Sequence, residues 1–360
     1  MRRHCIAFTA TLALAACGGG GEPDSPAPPG VPTPDRFAEV DRAAGAAFSS
    51  QSLSGMGLAI YDAQGVKRFE KMYGDFAPDR RIAVASASKM VAGLVIMRLV
   101  TDGYLTLDST TGEVLGWTGP QGEITLRQLL SFTSGMEREA ACTLLPNIEL
   151  ADCVTAISQA PLVAPPGTRF DYGSTHLQVA ARMAEVATGA PWNDIFAAQI
   201  KSPLGLGPEL VFYTAPRGVF GTRNPLVAGG LRATMNEYAR LLALDFNRGT
   251  DQGNRLIGDA LFDAQATEPY PDATIGFSPI ADTGLNFHYG LAAWLECPPQ
   301  AANCPVISSP GAFGFTPWFD REVGYYAIIA MEVTESDSGV VPFSVQLAQN
   351  LKPLIRAALR

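Results

Sequence analysis

The stretch that most constrains the fold is residues 84–100, an apolar segment that opens with Ser86 and Lys89. Beyond Lys89 the only charge in this segment is Arg98, and a helix that is apolar nearly all round is usually buried. Gly103 follows, at the position where a glycine commonly ends a helix. We therefore predict a core helix whose first turn carries Ser86 and Lys89 on one face, three residues apart.

Ser86 and Lys89 match the arrangement of a serine nucleophile with an amine beside it. A serine hydroxyl is a poor nucleophile until a neighbouring base accepts its proton. A lysine one turn inside a buried helix loses charge stabilisation and can act as a neutral amine. The spacing by itself recurs by chance in proteins, so its meaning depends on the rest of the chain.

Composition limits both the architecture and the partners. The 360 residues, 47% hydrophobic and 17% charged, suffice for two domains or for one large domain with an insertion. The net charge of −9 provides no positive surface for nucleic acid or for anionic lipid. We therefore expect neither of these partners, and nothing in the composition indicates an oligomeric state.

The N-terminus resembles a bacterial lipoprotein signal. Two arginines precede an apolar run, 6–16, that is too short to span a bilayer, and small residues stand before Cys17. We predict a signal peptide over 1–16, a lipid on Cys17 and a flexible linker rich in Gly, Pro and Ser over 17–36. The mature protein would be anchored to a membrane and face the periplasm. An ordinary secretory signal with an incidental cysteine is the alternative.

Four cysteines remain in the exported chain, and they allow three pairings. We favour the two pairings that are local in sequence, Cys142–Cys153 and Cys297–Cys304, because each would close a short loop. A metal site is the competing interpretation. The spacings between the cysteines are wide and the chain has only 3 histidines, so we expect disulfides and no bound metal.

The pattern along the chain separates two kinds of structure. Strand patterns recur near both ends, whereas the middle is typical of helices and turns. Strands are predicted at 55–62, 66–73, 288–294, 311–319 and 323–333, and an amphipathic helix at 341–359. We predict an α/β fold with one antiparallel sheet flanked by helices, formed by 37–112 and 285–360. An all-helical domain, 113–284, is inserted between them.

Five stretches, in this order, carry a resemblance to a known superfamily. They are residues 86–89, 124–135, 166–174, 228–231 and 310–314. From residue 37 onward the chain resembles the serine β-lactamases and penicillin-binding proteins, nearest the class C β-lactamases and family VIII carboxylesterases. The resemblance implies a β-lactamase-like fold, an acyl-enzyme mechanism and no metal or organic cofactor.

The resemblance also implies roles for individual residues. Ser86 is the nucleophile, and Lys89 and Tyr172 move protons, although which of the two is the acylation base stays open. The backbone amides of Ser86 and Ala312 form the oxyanion hole that a tetrahedral intermediate requires.

The third motif departs from the family pattern of Lys or His, any residue, then Gly. Here the three positions are Ser309, Pro310 and Gly311, so the cation that would meet a substrate carboxylate is missing. Ser174 replaces a common Asn, and Phe132 stands where relatives often carry His. We take Ser174, Ser309 and Gly311 as substrate-binding positions and expect a small-molecule ester or amide substrate rather than a β-lactam or a D-alanyl peptide.

Three other functions remain as alternatives. The same fold could serve as a catalytically silent protein that binds cell-wall peptides or a partner, or as a β-lactamase or DD-peptidase. A Ser-His-Asp hydrolase is disfavoured because the chain has no Gly-x-Ser-x-Gly stretch. His176 lies near the predicted site but is expected to be structural, as is His288.

Overall fold

The computed structural model describes residues 35–281, 283–298, 301–331 and 340–360. The predicted signal peptide, the predicted lipidation site Cys17 and nearly all of the predicted linker lie outside these residues. No helix in the described part of the chain is long and apolar enough to cross a bilayer.

The strands of the described chain are as follows. They are β1 (Gly55–Asp62), β2 (Lys67–Gly74), β3 (Ile82–Ala83), β4 (Arg169–Asp171), β5 (Val211–Phe212), β6 (Leu231–Ala233), β7 (Thr250–Asp251), β8 (Asn254–Arg255), β9 (Thr274–Phe277), β10 (His288–Tyr289), β11 (Trp294–Leu295), β12 (Val306–Ser308), β13 (Thr316–Asp320) and β14 (Tyr325–Met331).

The described part of the chain contains ten α-helices. They are α1 (Ala38–Ser49), α2 (Ser88–Thr101), α3 (Thr111–Leu115), α4 (Leu126–Leu130), α5 (Leu150–Ser158), α6 (Thr175–Thr188), α7 (Trp192–Phe196), α8 (Met235–Phe246), α9 (Ala260–Gln265) and α10 (Val340–Leu359).

Seven strands form one antiparallel sheet in the order β10-β11-β12-β13-β14-β1-β2. The first and last parts of the chain meet inside the sheet, where β1 pairs with β14 and Leu58 lies opposite Ile329. The predicted sheet, with its helical layers, is therefore confirmed. The edge strand β2 exposes charged side chains, a common protection against pairing with a second sheet.

Every residue of β1 is buried, because helices cover both faces of the sheet. Leu58 and Ile60 point to a core shared with α1 and α10. The alternate residues Ala59 and Tyr61 point to the opposite core, which contains α2 and most of the other helices. This alternation follows from the two-residue period of a strand.

Helix α2 crosses the larger core, as its sequence predicts. Eleven of its residues are buried, and the chain reverses after it at Gly103, whose φ is +79°. Helix α8 lies within 113–284 yet packs against β13 and β14, so this central part contributes to the layer on the sheet. It also contains six short strands, β4 to β9, so it is not all-helical. The boundaries of the inserted domain stay a prediction.

Two strand predictions were wrong in detail. The pattern over 288–294 predicts one strand, but β10 and β11 are separate and pair as a hairpin in which Ala292 takes a φ of +58°. The pattern over 311–319 also predicts one strand, but β13 begins only at Thr316. A turn precedes it, closed by a hydrogen bond from the Gly311 amide to the Phe315 carbonyl oxygen, and apolar content does not reveal such a turn.

Both predicted disulfides are present. Cys142–Cys153 links a short 3-10 helix, Ala141–Leu144, to α5, and Cys297–Cys304 closes the connection between β11 and β12. These local loops agree with the expectation from the spacing of the cysteines.

Candidate active site

Ser86 lies in a tight turn that enters the central helix. The turn is a 3-10 segment, Ala85–Ala87, directly before α2. Ala85 has a φ of +48°, an uncommon conformation for a residue with a Cβ, and such strain often marks a functional position. The geometry turns the chain sharply from β3 into the helix and leaves the Ser86 side chain partly exposed while its neighbours are buried.

The Ala228–Leu231 motif supports this turn through backbone contacts. The Val84 amide donates to the Leu231 carbonyl oxygen over 3.1 Å, and the Leu231 amide donates to Ser88 Oγ over 3.0 Å. A Cβ on Gly230 would lie 1.9 Å from the Tyr213 carbonyl oxygen, so only glycine fits there. The Ala228–Leu231 motif therefore holds the turn at Ser86 in position.

Lys89 reaches Ser86 from the first turn of α2. Its Nζ donates to Ser86 Oγ over 3.1 Å and to the Ala228 carbonyl oxygen over 2.9 Å. The side chain is only 3% exposed. Desolvation by burial lowers the pKa of Lys89 to about 8, against an opposing effect of the Glu139 carboxylate. A buried amine with this pKa can exchange a proton near neutral pH.

Tyr172 completes the group on the helical side of the site. Lys89 Nζ lies 4.6 Å from the centre of its ring. Burial raises the pKa of Tyr172 to about 12, although hydrogen bonds with Ser86 and Trp294 oppose the rise. Its hydroxyl therefore stays protonated at neutral pH and can donate or relay a proton. The structure brings Ser86, Lys89 and Tyr172 together.

The segment before β13 borders Ser86 on another side. Ser309 Oγ donates to the Ser86 carbonyl oxygen over 3.1 Å. A Cβ on Gly311 would lie 2.1 Å from the Val84 carbonyl oxygen, so a glycine permits the close approach of the two segments. Ala312 lines the same cavity as Ser86. The three positions predicted to bind substrate, Ser174, Ser309 and Gly311, are not among the described residues that line it.

A cavity of about 930 Å³ opens on Ser86. None of the described residues that line it carries a charge. They are Gln51, Ser86, Tyr172, Pro279, Ile280, Thr283, Leu285, Phe287, Trp294, Pro310, Ala312, Pro342, Phe343, Val345 and Gln346. The surface is mostly apolar, which suits a neutral ligand, because a substrate carboxylate would meet no charged side chain among the described lining residues.

An aromatic cluster that sequence reasoning missed holds Tyr172. Trp294 stacks on its ring at 5.1 Å between centroids, and Phe132 and Tyr289 meet it edge-on. This stacking makes Trp294 a positioning residue for the Tyr172 ring. These residues are far apart in sequence. Of these residues only Phe132 is singled out by the sequence, as a departure from the family pattern.

Both remaining histidines have structural partners. His176 is fully buried, with Nδ1 2.8 Å from Ser134 Oγ and Nε2 2.8 Å from the Asp171 carbonyl oxygen. Burial lowers its pKa to about 4, so the ring is neutral. His288 Nδ1 lies 2.9 Å from a Glu268 carboxylate oxygen. Within the described residues, no group of three or more His, Cys, Asp and Glu side chains is placed to hold a metal.

The fold and the site agree with the β-lactamase-like class of protein that the sequence predicts. Comparison with known proteins supports the same class. The Beta-lactamase family model matches residues 37–342, and the chain belongs to this family. The structure is similar to that of a predicted β-lactamase from Bacteroides dorei DSM 17855. The TM-score is 0.77 at 30% identity, over 88% of this chain and 98% of that one.

Named relatives differ in activity. D-alanyl-D-alanine-carboxypeptidase/endopeptidase AmpH of Escherichia coli K12 is 26% identical over 60% of this chain and 65% of its own length. Esterase EstB of Burkholderia gladioli is 28% identical over 36% of this chain and 38% of its own. The chain therefore spans less than two-thirds of either relative, and the family includes both a peptidase and an esterase.

Proposed function

We propose that the protein is a serine hydrolase that acts on neutral esters or amides through an acyl-enzyme on Ser86. One observation carries the proposal: the hydroxyl of Ser86 faces a large cavity whose described lining is uncharged, with the amine of Lys89 3.1 Å away. The nucleophile and base support acyl transfer. The uncharged lining favours esters over β-lactams and D-alanyl peptides, whose carboxylate would have to be desolvated without a partner.

Acylation forms the bond between Ser86 Oγ and the acyl carbon. Lys89, in its neutral form, accepts the hydroxyl proton as Oγ attacks the carbonyl. The Ser86 and Ala312 amides stabilise the oxyanion of the tetrahedral intermediate. The bond to the leaving group then breaks, and the proton passes from the Lys89 ammonium through the Tyr172 hydroxyl to the departing oxygen or nitrogen.

Deacylation repeats these steps with water. The neutral amine of Lys89 accepts one proton from the water, relayed through the Tyr172 hydroxyl, as the water oxygen bonds to the acyl carbon. The ester bond to Ser86 breaks, and the proton returns to Oγ. The free acid leaves and the enzyme is restored. Lys89 is the better base in both halves, because its pKa of about 8 is closer to neutral pH than the pKa of about 12 of Tyr172.

The proposal predicts that Ser86→Ala abolishes turnover of a p-nitrophenyl ester. We expect a loss of at least about a thousandfold in kcat, as for the removal of other serine nucleophiles. Ser158→Ala is the matched control, because Ser158 is half-buried at the end of α5 and is not among the described residues that line the cavity. Retained turnover by the Ser86→Ala variant would end the proposal.

A DD-peptidase activity is the second candidate, because AmpH is among the relatives. Release of D-alanine from a D-Ala-D-Ala peptide, faster than ester turnover at equal concentration, would favour it. A catalytically silent binding protein is the third, motivated by Ser309 in the cation position. It predicts no adduct on Ser86 with any fluorophosphonate, penicillin or ester probe.

We also propose that the mature protein is a lipoprotein attached through Cys17 and facing the periplasm. The sequence pattern around Cys17 supports this. A clickable fatty acid should label the wild-type protein expressed in bacteria but not the Cys17→Ser variant. Absence of label from the wild type would overturn the proposal.

A further inference from the structure

The Ser86 cavity extends along an apolar wall built by two separate segments. Five side chains define this apolar wall. They are Ile280, Leu285 and Phe287 from the segment after β9, and Phe343 and Val345 from the first turns of α10. Thr316 Oγ1 lies 2.9 Å from Ser344 Oγ. This bond fixes α10 beside the start of β13, next to the turn that contains Ala312.

The size of the cavity exceeds what a small acyl group needs. Cavities for drug-sized ligands span roughly 300–1,000 Å³, and about 930 Å³ is near the upper end. An acetyl group would leave most of the apolar wall in contact with water. Apolar surface that a ligand can cover favours binding in proportion to the area removed from water.

The polar groups beside the wall are neutral. Gln51 and Gln346 line the cavity together with Thr283, and these side chains offer hydrogen bonds without a net charge. A charged group would lose its hydration here with no opposite charge among the described lining residues. The wall therefore selects an uncharged group.

We propose that the apolar wall binds a bulky, uncharged apolar group of the ester, so that the preferred substrates carry an extended or aromatic hydrocarbon portion rather than an acetyl group. This inference rests on the proposed hydrolase function and specifies its substrate class. Phe343 and Leu285 are specificity-determining residues. They act on binding of the substrate and not on the bonds that break.

The test is the dependence of kcat/KM on chain length in two ester series. The first is p-nitrophenyl acetate, butyrate, hexanoate and octanoate, and the second is the acetates of alcohols of increasing length. Each methylene buried against the wall should raise kcat/KM about fourfold. We expect this gain in the series whose chain lies on the wall. A flat or falling profile in both series would overturn the inference.

Variants of the apolar wall test whether it causes the dependence of kcat/KM on chain length. Phe343→Ala and Leu285→Ala should each reduce the gain in kcat/KM between the shortest and the longest ester at least threefold, in the series whose rate depends on chain length. Leu285→Trp should fill the cavity and penalise the long esters. Phe220→Ala is the control, because Phe220 is 50% exposed and is not among the described lining residues. If the wall variants leave the slope of the wild type intact, the wall does not select the substrate.

The two proposals fail in different ways. If the hydrolase function is wrong, p-nitrophenyl acetate is not turned over and no acyl probe modifies Ser86. If only the inference about the wall is wrong, acetate is turned over in a Ser86-dependent way and the longer esters bring no gain in kcat/KM.

Discussion

At the scale of single residues, the site depends on one buried amine. Lys89 has two hydrogen-bond acceptors, Ser86 Oγ and the Ala228 carbonyl oxygen, and no carboxylate within hydrogen-bonding distance among the described residues. Burial therefore dominates its electrostatics and lowers its pKa to about 8. The amine is neutral often enough to act as a base and charged often enough to return the proton.

The first prediction concerns this pKa. Because the neutral amine is the active form, kcat/KM for a neutral ester should rise about tenfold per pH unit below 8 and level off above it. Rates from pH 6 to 9.5, corrected with Ser86→Ala for spontaneous hydrolysis, give the profile. Lys89→Arg should lose at least about a hundredfold at every pH, because its guanidinium stays charged. A profile that is flat across this range would contradict the role of Lys89.

At the scale of secondary-structure elements, local patterns in sequence predict local structure well. The helix after Ser86, the hairpin of β1 and β2 and both disulfides are each set by residues close in sequence. The prediction of a single strand over 288–294 was wrong because Ala292 adopts a positive φ, which the side-chain pattern does not reveal. The single strand predicted over 311–319 was wrong for a similar reason. Gly311 lies against the backbone of Val84, a contact between residues more than two hundred positions apart that the local pattern does not reveal.

The second prediction tests this approach. In Gly311→Ala the new Cβ would lie 2.1 Å from the Val84 carbonyl oxygen, so the segment that carries Ala312 must move away from Ser86. We expect a loss of about 1–3 kcal/mol in the free energy of unfolding and at least a tenfold loss in kcat while the protein remains folded.

Gly207→Ala is the matched control for Gly311→Ala. No heavy atom lies within 4 Å of a Cβ at Gly207, so its kcat should stay within about twofold of the wild type. Wild-type kcat in folded Gly311→Ala would show that the close approach does not position the oxyanion donors.

At the scale of the whole molecule, the cleft depends on contacts between the sheet and the helical region. Phe132 stacks on both His176 and Tyr289, so the aromatic cluster joins α6 to β10. The sequence motifs predicted Ser86, Lys89 and Tyr172, but no pattern predicted the apolar wall or Trp294. Their residues come together only through the tertiary fold, which the period of a helix or a strand does not encode.

The third prediction is a pH dependence of stability from His176. Its pKa is about 4 in the folded protein and about 6.5 when unfolded. The unfolded state therefore binds more protons between these values, and stability is lost as the pH falls from 6.5 towards 4. Between pH 7 and 4.5 the wild type should lose about 2–3 kcal/mol more than His176→Gln.

Urea unfolding at pH 7, 5.5 and 4.5 measures this difference. The comparison with His176→Gln is needed because Asp245 acts in the opposite direction. Burial raises the pKa of Asp245 to about 6, so this residue contributes stability as the pH falls. Asp245 is present in both proteins and cancels in the difference. Equal losses in the two proteins would show that the ring of His176 does not stay neutral in the folded state.

The central claim is that Ser86 carries the acyl group, and intact-protein mass spectrometry of the acid-quenched enzyme tests it most directly. During turnover of a p-nitrophenyl ester we expect a mass increase equal to one acyl group. Peptide mapping should locate this increase on Ser86, and the increase should be absent from Ser86→Ala. Turnover by the wild type with an acyl group on another residue, or an acyl group that persists in Ser86→Ala, would contradict it.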